Sequence, residues 1–157
     1  MRRITTTALT NKAAGTGHRY WRVLVNTDQG DGGRFGCNGL IFASSTAGTN
    51  LANSSNVTAN SINGGSIAAL FDSNDTTFLL LNTTASNTAW IQMDYGSDVD
   101  VCESQLRTTN NGFYTGVLGM TGWALQYSDD ASSWTTSVED TSVAWNTTNT
   151  WYTVSNC

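Results

Sequence analysis

His18-Arg19-Tyr20-Trp21-Arg22-Val23-Leu24-Val25-Asn26 alternates between two sets of side chains along its length. One set contains Tyr20, Arg22 and Leu24, and the other contains Arg19, Trp21, Val23 and Val25. A period of two residues, with aromatic and β-branched side chains, is typical of a strand with one buried face. Residues 18–26 therefore predict a strand that packs on a hydrophobic core.

Further short strands are predicted on the C-terminal side of this stretch. They cover residues 40–42, 89–96, 99–109, 123–128 and 151–154. Clusters of Asp, Asn, Ser and Gly separate several of them, for example at residues 28–33 and 129–133, as expected for turns. Short strands separated by turn signals are typical of sandwiches and barrels. The sequence therefore predicts an all-β protein.

Small polar residues replace charged ones in this chain of 157 residues. Thr, Ser and Asn occupy 57 positions, whereas charged residues make up only 12%. The seven basic and twelve acidic residues give a net charge of −5, which argues against a nucleic-acid-binding surface. No segment is long and apolar enough for a membrane span. We therefore expect neither a nucleic-acid partner nor membrane insertion.

Residues 1–16 are rich in Thr, Ala and Gly and lack a periodic apolar pattern. We predict that they form an N-terminal arm, and that residues 17–157 form one domain. Residues 1–7 lack the apolar run of a signal peptide, so we expect three reduced and mostly buried thiols at Cys37, Cys102 and Cys157. Three cysteines allow one internal bridge at most, and the spacing does not select the pair.

Four segments of the chain resemble the discoidin domain, also called the coagulation-factor type C domain. Residues 69–78 are similar to its acidic loop, and residues 90–96 (WIQMDYG) are similar to its W-I-x-x-D-L/F-G strand. Residues 123–134 (WALQYSDDASSW) are similar to W-x-L-x-x-S-D-D-G-x-x-W, and residues 19–23 (RYWRV) to R-Y-x-R-I. The Arg-Tyr strand comes last in the common domain but first here, as in circularly permuted discoidin-like proteins of bacteriophage tails and other virion parts.

The resemblance implies a jelly-roll β-sandwich of about eight antiparallel strands. Permutation preserves neighbours, so we expect the strand at residues 19–26 to lie beside the C-terminal strand that ends near Val154. The family's tryptophan positions match Trp21, Trp90, Trp123 and Trp134 and are expected to pack in the core. Trp90 and Trp123 should be almost fully buried, because each opens a strand with alternating apolar partners.

In many discoidin domains the acidic loop holds a structural calcium ion. The matching oxygen donors in this chain are Asp72, Asn74, Asp75 and Thr77. Calcium takes six to eight oxygen ligands, which such a turn can supply in part. The alternative is an Asx-type turn in which Asp72 accepts hydrogen bonds from nearby backbone amides.

Sugar-binding relatives use aromatic and polar side chains in loops at one end of the sandwich. The matching candidates here are Arg107, Asn110, Asn111, Phe113 and Tyr114, with Arg34 in a second patch. The alternative is that the two aromatic rings pack onto their own domain. The sequence contains no convincing catalytic set, because His18 is the sole histidine and the acidic pairs fall in predicted turns or at strand starts.

The resemblance implies a non-enzymatic virion structural protein of a bacteriophage, located in the tail, a fibre or the capsid surface. Its discoidin-like module would serve attachment or decoration, with other virion proteins, further copies of itself and a cell-surface glycan as expected partners. The alternative is a stand-alone carbohydrate-binding module or lectin on a bacterial surface or outside the cell. A glycan-cleaving enzyme would need two carboxylates in a cleft, to which the sequence does not point.

Overall fold

The computed structural model of the protein describes residues 17–28, 33–83, 88–109 and 120–157. Most of these residues lie in β-strands, and the one helical element within them is a short 3-10 helix at Ile67–Leu70. No helix in the described part of the chain is long and apolar enough to cross a membrane. The predicted all-β class is confirmed, and the predicted arm at residues 1–16 lies outside the described residues.

Eleven strands can be traced within the described ranges, rather than about eight, and each pairs with its neighbours in antiparallel fashion. They are β1 (His18–Asp28), β2 (Arg34–Cys37), β3 (Gly39–Ala43), β4 (Val57–Ala59), β5 (Ile62–Gly65), β6 (Leu79–Asn82), β7 (Ala89–Val99), β8 (Glu103–Arg107), β9 (Met120–Ser128), β10 (Thr135–Asp140) and β11 (Trp151–Ser155). The five-stranded sheet has the order β10-β9-β1-β7-β4. The two three-stranded sheets have the orders β11-β8-β3 and β2-β6-β5.

The inward side chains of β1 define one wall of the core. Trp21, Val23 and Val25 are at most 1% exposed, as the period-two pattern predicts. The buried residues opposite them on β7 and β9 are Ala89, Ile91, Met93, Trp123 and Leu125. These cross-strand rows give the five-stranded sheet one continuous apolar face.

The two smaller sheets supply the opposing wall. Leu40, Leu106 and Tyr152 lie side by side across β3, β8 and β11, and all three are buried. The β2-β6-β5 sheet adds the buried side chains of Phe35, Cys37, Leu79 and Leu81. All three sheets contribute to a single buried cluster, as expected for a β-sandwich.

The predicted neighbour of β1 is wrong. β1 pairs with β7 on one side and with β9 on the other, so neither of its edges is left for the C-terminal strand. β11 instead pairs with β8 and brings Tyr152 and Val154 to the opposing wall of the core. The position of β11 in the fold therefore follows from the burial of its apolar side chains. It does not follow from the strand neighbours that circular permutation would preserve.

Arg19 departs from the alternation predicted for β1. The register with β7 shifts between His18 and Tyr20, which is the behaviour of a β-bulge. The Arg19 side chain consequently reaches Asp94 on β7, where its Nε and Nη2 each donate a hydrogen bond of 2.8 Å. This guanidinium lowers the pKa of the Asp94 carboxyl, although the pair is exposed and adds little stability.

The predicted burial of tryptophans is correct for Trp21 and Trp123, each 1% exposed, and wrong for Trp90. Trp90 is only partly buried because Ala89 and Ile91, its neighbours in β7, point inward and turn it to the outer face. Trp134 is also partly exposed, and the guanidinium carbon of Arg22 lies 3.9 Å from the centre of its ring. Burial lowers the pKa of Arg22 to about 10.

Two of the three cysteines form a disulfide, so the expectation of three reduced thiols is wrong. Cys102, which precedes β8, is bonded to Cys157, which follows β11. These strands are neighbours, and their pairing in register brings the two cysteines together. Cys37 is buried and free, and its burial raises the pKa of its thiol well above the ordinary value.

Candidate ligand-binding cavity

A row of three residues crosses the outer face of the β11-β8-β3 sheet. Trp151 on β11 lies opposite Arg107 on β8, and Arg107 lies opposite Gly39 on β3. The row faces away from the core because side chains alternate along a strand and the adjacent positions carry the buried residues Tyr152, Leu106 and Leu40. Arg107 and Trp151 are each partly exposed.

Gly39 creates the space that the Trp151 ring occupies. A Cβ atom at residue 39 would lie 2.6 Å from Cη2 of Trp151 and 2.9 Å from Cβ of Arg107. These distances are shorter than atomic contacts allow, so a larger residue would displace the indole. The glycine therefore lets the indole extend from β11 across the sheet to β3.

Arg107 joins this sheet to the loop that follows the 3-10 helix. Its Nη1 lies 2.6 Å from Oδ1 of Asp75, and its guanidinium carbon lies 6.0 Å from the centre of the Trp151 ring. The Arg107 side chain is 20% exposed and that of Asp75 is 44% exposed. Nε of Arg107 is buried and has no hydrogen-bond partner within the described residues. The guanidinium is therefore held at the surface by a carboxylate on one side and an aromatic ring on the other.

The loop at residues 72–77 is an Asx-type turn. Oδ1 of Asp72 accepts a hydrogen bond of 2.8 Å from the backbone N–H of Asn74, and Oγ1 of Thr77 donates to both carboxylate oxygens of Asp72. Asn74 in turn accepts from the backbone N–H of Thr76 at 3.0 Å. Ser73 has a left-handed backbone with φ of 56°, which accommodates this tight turn. These bonds position Asp75 beside Arg107.

The hydrogen bonds of the turn at residues 72–77 involve the same oxygen atoms that a calcium ion would use as ligands. The Asp72 carboxylate is engaged by Thr77 and by the Asn74 amide, and the Asp75 carboxylate faces a guanidinium rather than the interior of the loop. No group of three His, Cys, Asp or Glu residues suited to a metal ion occurs in the described part of the chain. The loop therefore matches the Asx-turn alternative, and a calcium ion bound there stays a prediction.

A cavity of about 460 Å³ opens beside this row. Its volume falls within the usual range for small-molecule sites. Its walls come from the start of β3, from residues 50–54, from the end of the 3-10 helix with Phe71 and Ser73, and from Arg107 and Trp151. The cavity thus combines an indole ring, one guanidinium and several amide and hydroxyl groups.

Residues 50–54 are held in place by one asparagine. Nδ2 of Asn50 donates to the Leu40 carbonyl at 2.8 Å, and its Oδ1 accepts from the backbone N–H groups of Phe42 and Ala52 at 3.0 Å each. These bonds fasten the segment to β3. The Asn50 side chain is therefore a structural support for this wall of the cavity.

Asn38, another residue of the cavity wall, has an unpartnered side chain. Asn38 is 4% exposed, and neither its Oδ1 nor its Nδ2 has a hydrogen-bond partner within the described residues. Its backbone N–H, in contrast, donates to the Arg107 carbonyl at 3.0 Å. Buried polar groups are normally paired, and the exceptions concentrate at functional sites. Asn38 is therefore a residue of the cavity wall whose buried carboxamide is unpaired within the described part of the chain.

The structure brings together residues that the sequence assigned to two different sites. Arg107 was a glycan-binding candidate and Asp75 was a calcium candidate, and they form one ion pair at the edge of one cavity. Arg34 begins β2 in a different sheet and is not among the residues of the cavity wall. The other glycan-binding candidates, Asn110, Asn111, Phe113 and Tyr114, lie outside the described residues.

The sequence analysis missed Trp151, Gly39 and Asn38 as members of a site. Trp151 was assigned to the last strand, but its opposition to Arg107 and Gly39 depends on the registers of β11 and β3 with β8. These registers join residues far apart in the chain. A glycine that opens a predicted strand is the one local signal that could have been noticed.

Comparison with known proteins returns no match for this chain among family models, among curated proteins or among solved structures.

Proposed function

We propose that the protein is a non-enzymatic sugar-binding module that binds its glycan in the cavity beside Trp151. The observation that carries this proposal is the combination of a partly exposed indole with amide and guanidinium groups around a cavity of about 460 Å³. A pyranose has one apolar face of C–H groups and an equatorial ring of hydroxyls. An aromatic surface bordered by hydrogen-bonding groups is complementary to both features.

The polar groups of the cavity support a hydroxylated ligand. Each hydroxyl can donate and accept a hydrogen bond, and the exposed side chains of Asn53 and Ser54 in the cavity wall offer both roles. Arg107 adds N–H donors that are already oriented by Asp75 and Trp151. Groups held in place before binding lose less conformational entropy when the ligand arrives.

The surroundings of Asp75 support binding rather than cleavage. Hydrolysis of a glycosidic bond usually requires two carboxyl groups that flank the bond, one of them as a proton donor. Within the described part of the cavity wall the charged residue is Arg107, and the nearby Asp75 is ion-paired with it. The Asp75 carboxylate therefore contacts a guanidinium, and no second carboxylate lies opposite it among the described residues of the cavity wall.

We further propose that the module belongs to a virion structural protein of a bacteriophage, in the tail, a fibre or the capsid surface, where it would attach to a cell-surface glycan. The permuted order of the discoidin-like segments and the arm at residues 1–16 support this proposal. A second candidate is a stand-alone lectin or carbohydrate-binding module on a bacterial surface. The Cys102–Cys157 disulfide favours an oxidising environment, which is compatible with a virion surface or a cell surface.

Substitution of Trp151 tests the sugar-binding proposal. We expect Trp151→Ala to weaken binding on a glycan array by at least about tenfold, which corresponds to about 1.4 kcal/mol. Trp134→Ala is the matched control, because Trp134 is also partly exposed but lies at the five-stranded sheet beside Arg22. Equal binding by the parent and Trp151→Ala, or equal losses in both variants, would contradict the proposed site.

A quantitative analysis of purified virus particles separates the two biological settings. The proposal predicts a fixed copy number of this protein in each particle. A large number would indicate decoration of the shell, and a small number would indicate receptor binding at the tail. Absence from particles, together with recovery from the surface of intact bacteria, would support the lectin alternative instead.

A further inference from the structure

We infer that Asp75 determines the ligand class of this cavity, so that the cavity accepts neutral sugars and disfavours sugars that carry a carboxylate. The inference rests on the proposed function and concerns the charge balance at Arg107. It follows from the 2.6 Å contact between Nη1 of Arg107 and Oδ1 of Asp75, and from the uncharged character of the other residues of the cavity wall.

Arg107 is the charged residue of the wall, and its charge is already balanced. The remaining wall residues within the described ranges are apolar or carry amide, hydroxyl or indole groups. The Asp75 carboxylate compensates the guanidinium at hydrogen-bond distance. The cavity therefore offers a ligand no net positive charge.

A carboxylated sugar would have to compete with Asp75 for the guanidinium. Arginine binds carboxylates best through a planar fork of N–H donors, and one of these donors already faces Asp75. A ligand carboxylate at Arg107 would also lie close to the Asp75 carboxylate, and like charges at such distances repel. A neutral sugar meets no such repulsion, and its apolar face can pack on the indole surface.

Asp75 can be changed without removing the turn that carries it. Its carboxylate contacts Arg107, whereas the hydrogen bonds of the Asx turn involve Asp72, Asn74, Thr76 and Thr77. Asp75→Asn keeps the shape of the side chain and one oxygen acceptor for Arg107 but removes the negative charge. Asp129→Asn is the matched control, because it also removes one negative charge but its carboxylate is 69% exposed and contacts His18, away from the cavity wall.

The experiment compares neutral oligosaccharides with their uronic acid counterparts, in which a carboxylate replaces the C6 hydroxymethyl group. The probes are immobilised pairs in the gluco, galacto and manno series. We expect the parent protein to bind the neutral member of the preferred pair more tightly. Asp75→Asn should shift the ratio of the two dissociation constants toward the uronic acid by about tenfold, or about 1.4 kcal/mol, whereas Asp129→Asn should leave the ratio unchanged.

The increase in relative affinity for the uronic acid that Asp75→Asn causes should also depend on Arg107 and on the salt concentration. The double variant Asp75→Asn, Arg107→Gln should lose the gain, and added salt should reduce it because salt screens the attraction. An unchanged ratio in Asp75→Asn, or a parent protein that prefers uronic acids, would overturn the inference while Trp151-dependent binding still supports the proposed function. If no probe binds the folded parent protein, both the inference and the proposed function fail.

Discussion

Four of the six tryptophans, Trp21, Trp90, Trp123 and Trp151, lie in strands, and alternation along the strand assigns each of them to one face of its sheet. Trp21, Trp123 and Trp145 are at most 1% exposed. Trp90, Trp134 and Trp151 are partly exposed on outer surfaces. For the four tryptophans in strands, the side of the sheet, rather than the residue type, decides whether the tryptophan packs in the core or is partly exposed on the outer face.

Substitution of Trp123 and Trp90 by alanine should reveal this difference. We expect Trp123→Ala to lower the free energy of unfolding by about 3–5 kcal/mol, because it leaves a cavity in a packed core. Trp90→Ala should cost only about 1–2 kcal/mol, since a partly exposed ring loses less contact area. Denaturant titration measures both values, and equal losses would mean that the orientation of β7 is wrong.

Individual residues were predictable from the sequence where one strand decided their environment. Trp21, Val23 and Val25 were assigned correctly because alternation within β1 is sufficient to place them. The prediction that Trp90 is buried is wrong because Ala89 and Ile91, its neighbours in β7, face the core and leave Trp90 on the other side of the strand. When the side of the strand predicted for one residue conflicts with the apolar pattern of its neighbours, the pattern of the neighbours is the better predictor, since only one side of a strand faces the core.

At the scale of elements, the disulfide connects β8 and β11, the two strands that carry Arg107 and Trp151. It joins residues separated by 55 positions. In the chain-entropy model, a loop of this length stabilises the folded state by about 4 kcal/mol. The bond therefore makes a major contribution to holding the cavity-bearing sheet together.

Removal of the disulfide should be strongly destabilising. We expect the double variant Cys102→Ser, Cys157→Ser to lower the free energy of unfolding by about 2–4 kcal/mol. Thiol titration provides an independent check, because the unreduced protein should expose one thiol per chain after unfolding, that of Cys37. Three titratable thiols in the unfolded, unreduced protein would contradict the pairing.

The acidic turn at residues 72–77 can be tested by chelation. The hydrogen bonds around Asp72 are complete without a metal ion, so we expect the melting temperature to be unchanged by a chelator at neutral pH. A calcium ion bound only to the folded state would instead stabilise it by mass action. A drop in melting temperature that added calcium reverses would therefore support the calcium hypothesis.

Strands were easier to predict than the contacts between them. The segments 18–26, 89–96, 123–128 and 151–154 all fall in strands, because local alternation and turn residues mark them. Their order in the sheets depends on which apolar faces cover one another, and this information is spread over the whole chain. The Gly39–Arg107–Trp151 row depends on the registers of β3 and β11 with β8. The sequence alone therefore indicated only Arg107 as a candidate.

At the scale of the whole molecule, the core comes from all three sheets within the described ranges. Every described residue of the central buried cluster lies between Trp21 and Val154. The sequence of the predicted arm at residues 1–16 lacks an apolar pattern with which it could join such a core. Folding and assembly are therefore expected to depend on separate parts of the chain.

Deletion of residues 2–16 tests whether folding and assembly depend on separate parts of the chain. It also tests the proposal that the protein is part of a virion. Arg2, Arg3 and Lys12 hold three of the seven basic charges of a chain with a net charge of −5, and they can pair with acidic groups on a neighbouring virion protein. We expect the truncated protein to keep the parent's melting temperature and glycan binding, because the described residues of the core and of the cavity wall all lie outside the deleted segment. It should no longer be incorporated into particles, as measured by its copy number in purified virus. Normal incorporation would mean that the β-sandwich itself makes the attachment, and a lowered melting temperature would mean that the arm belongs to the folded domain.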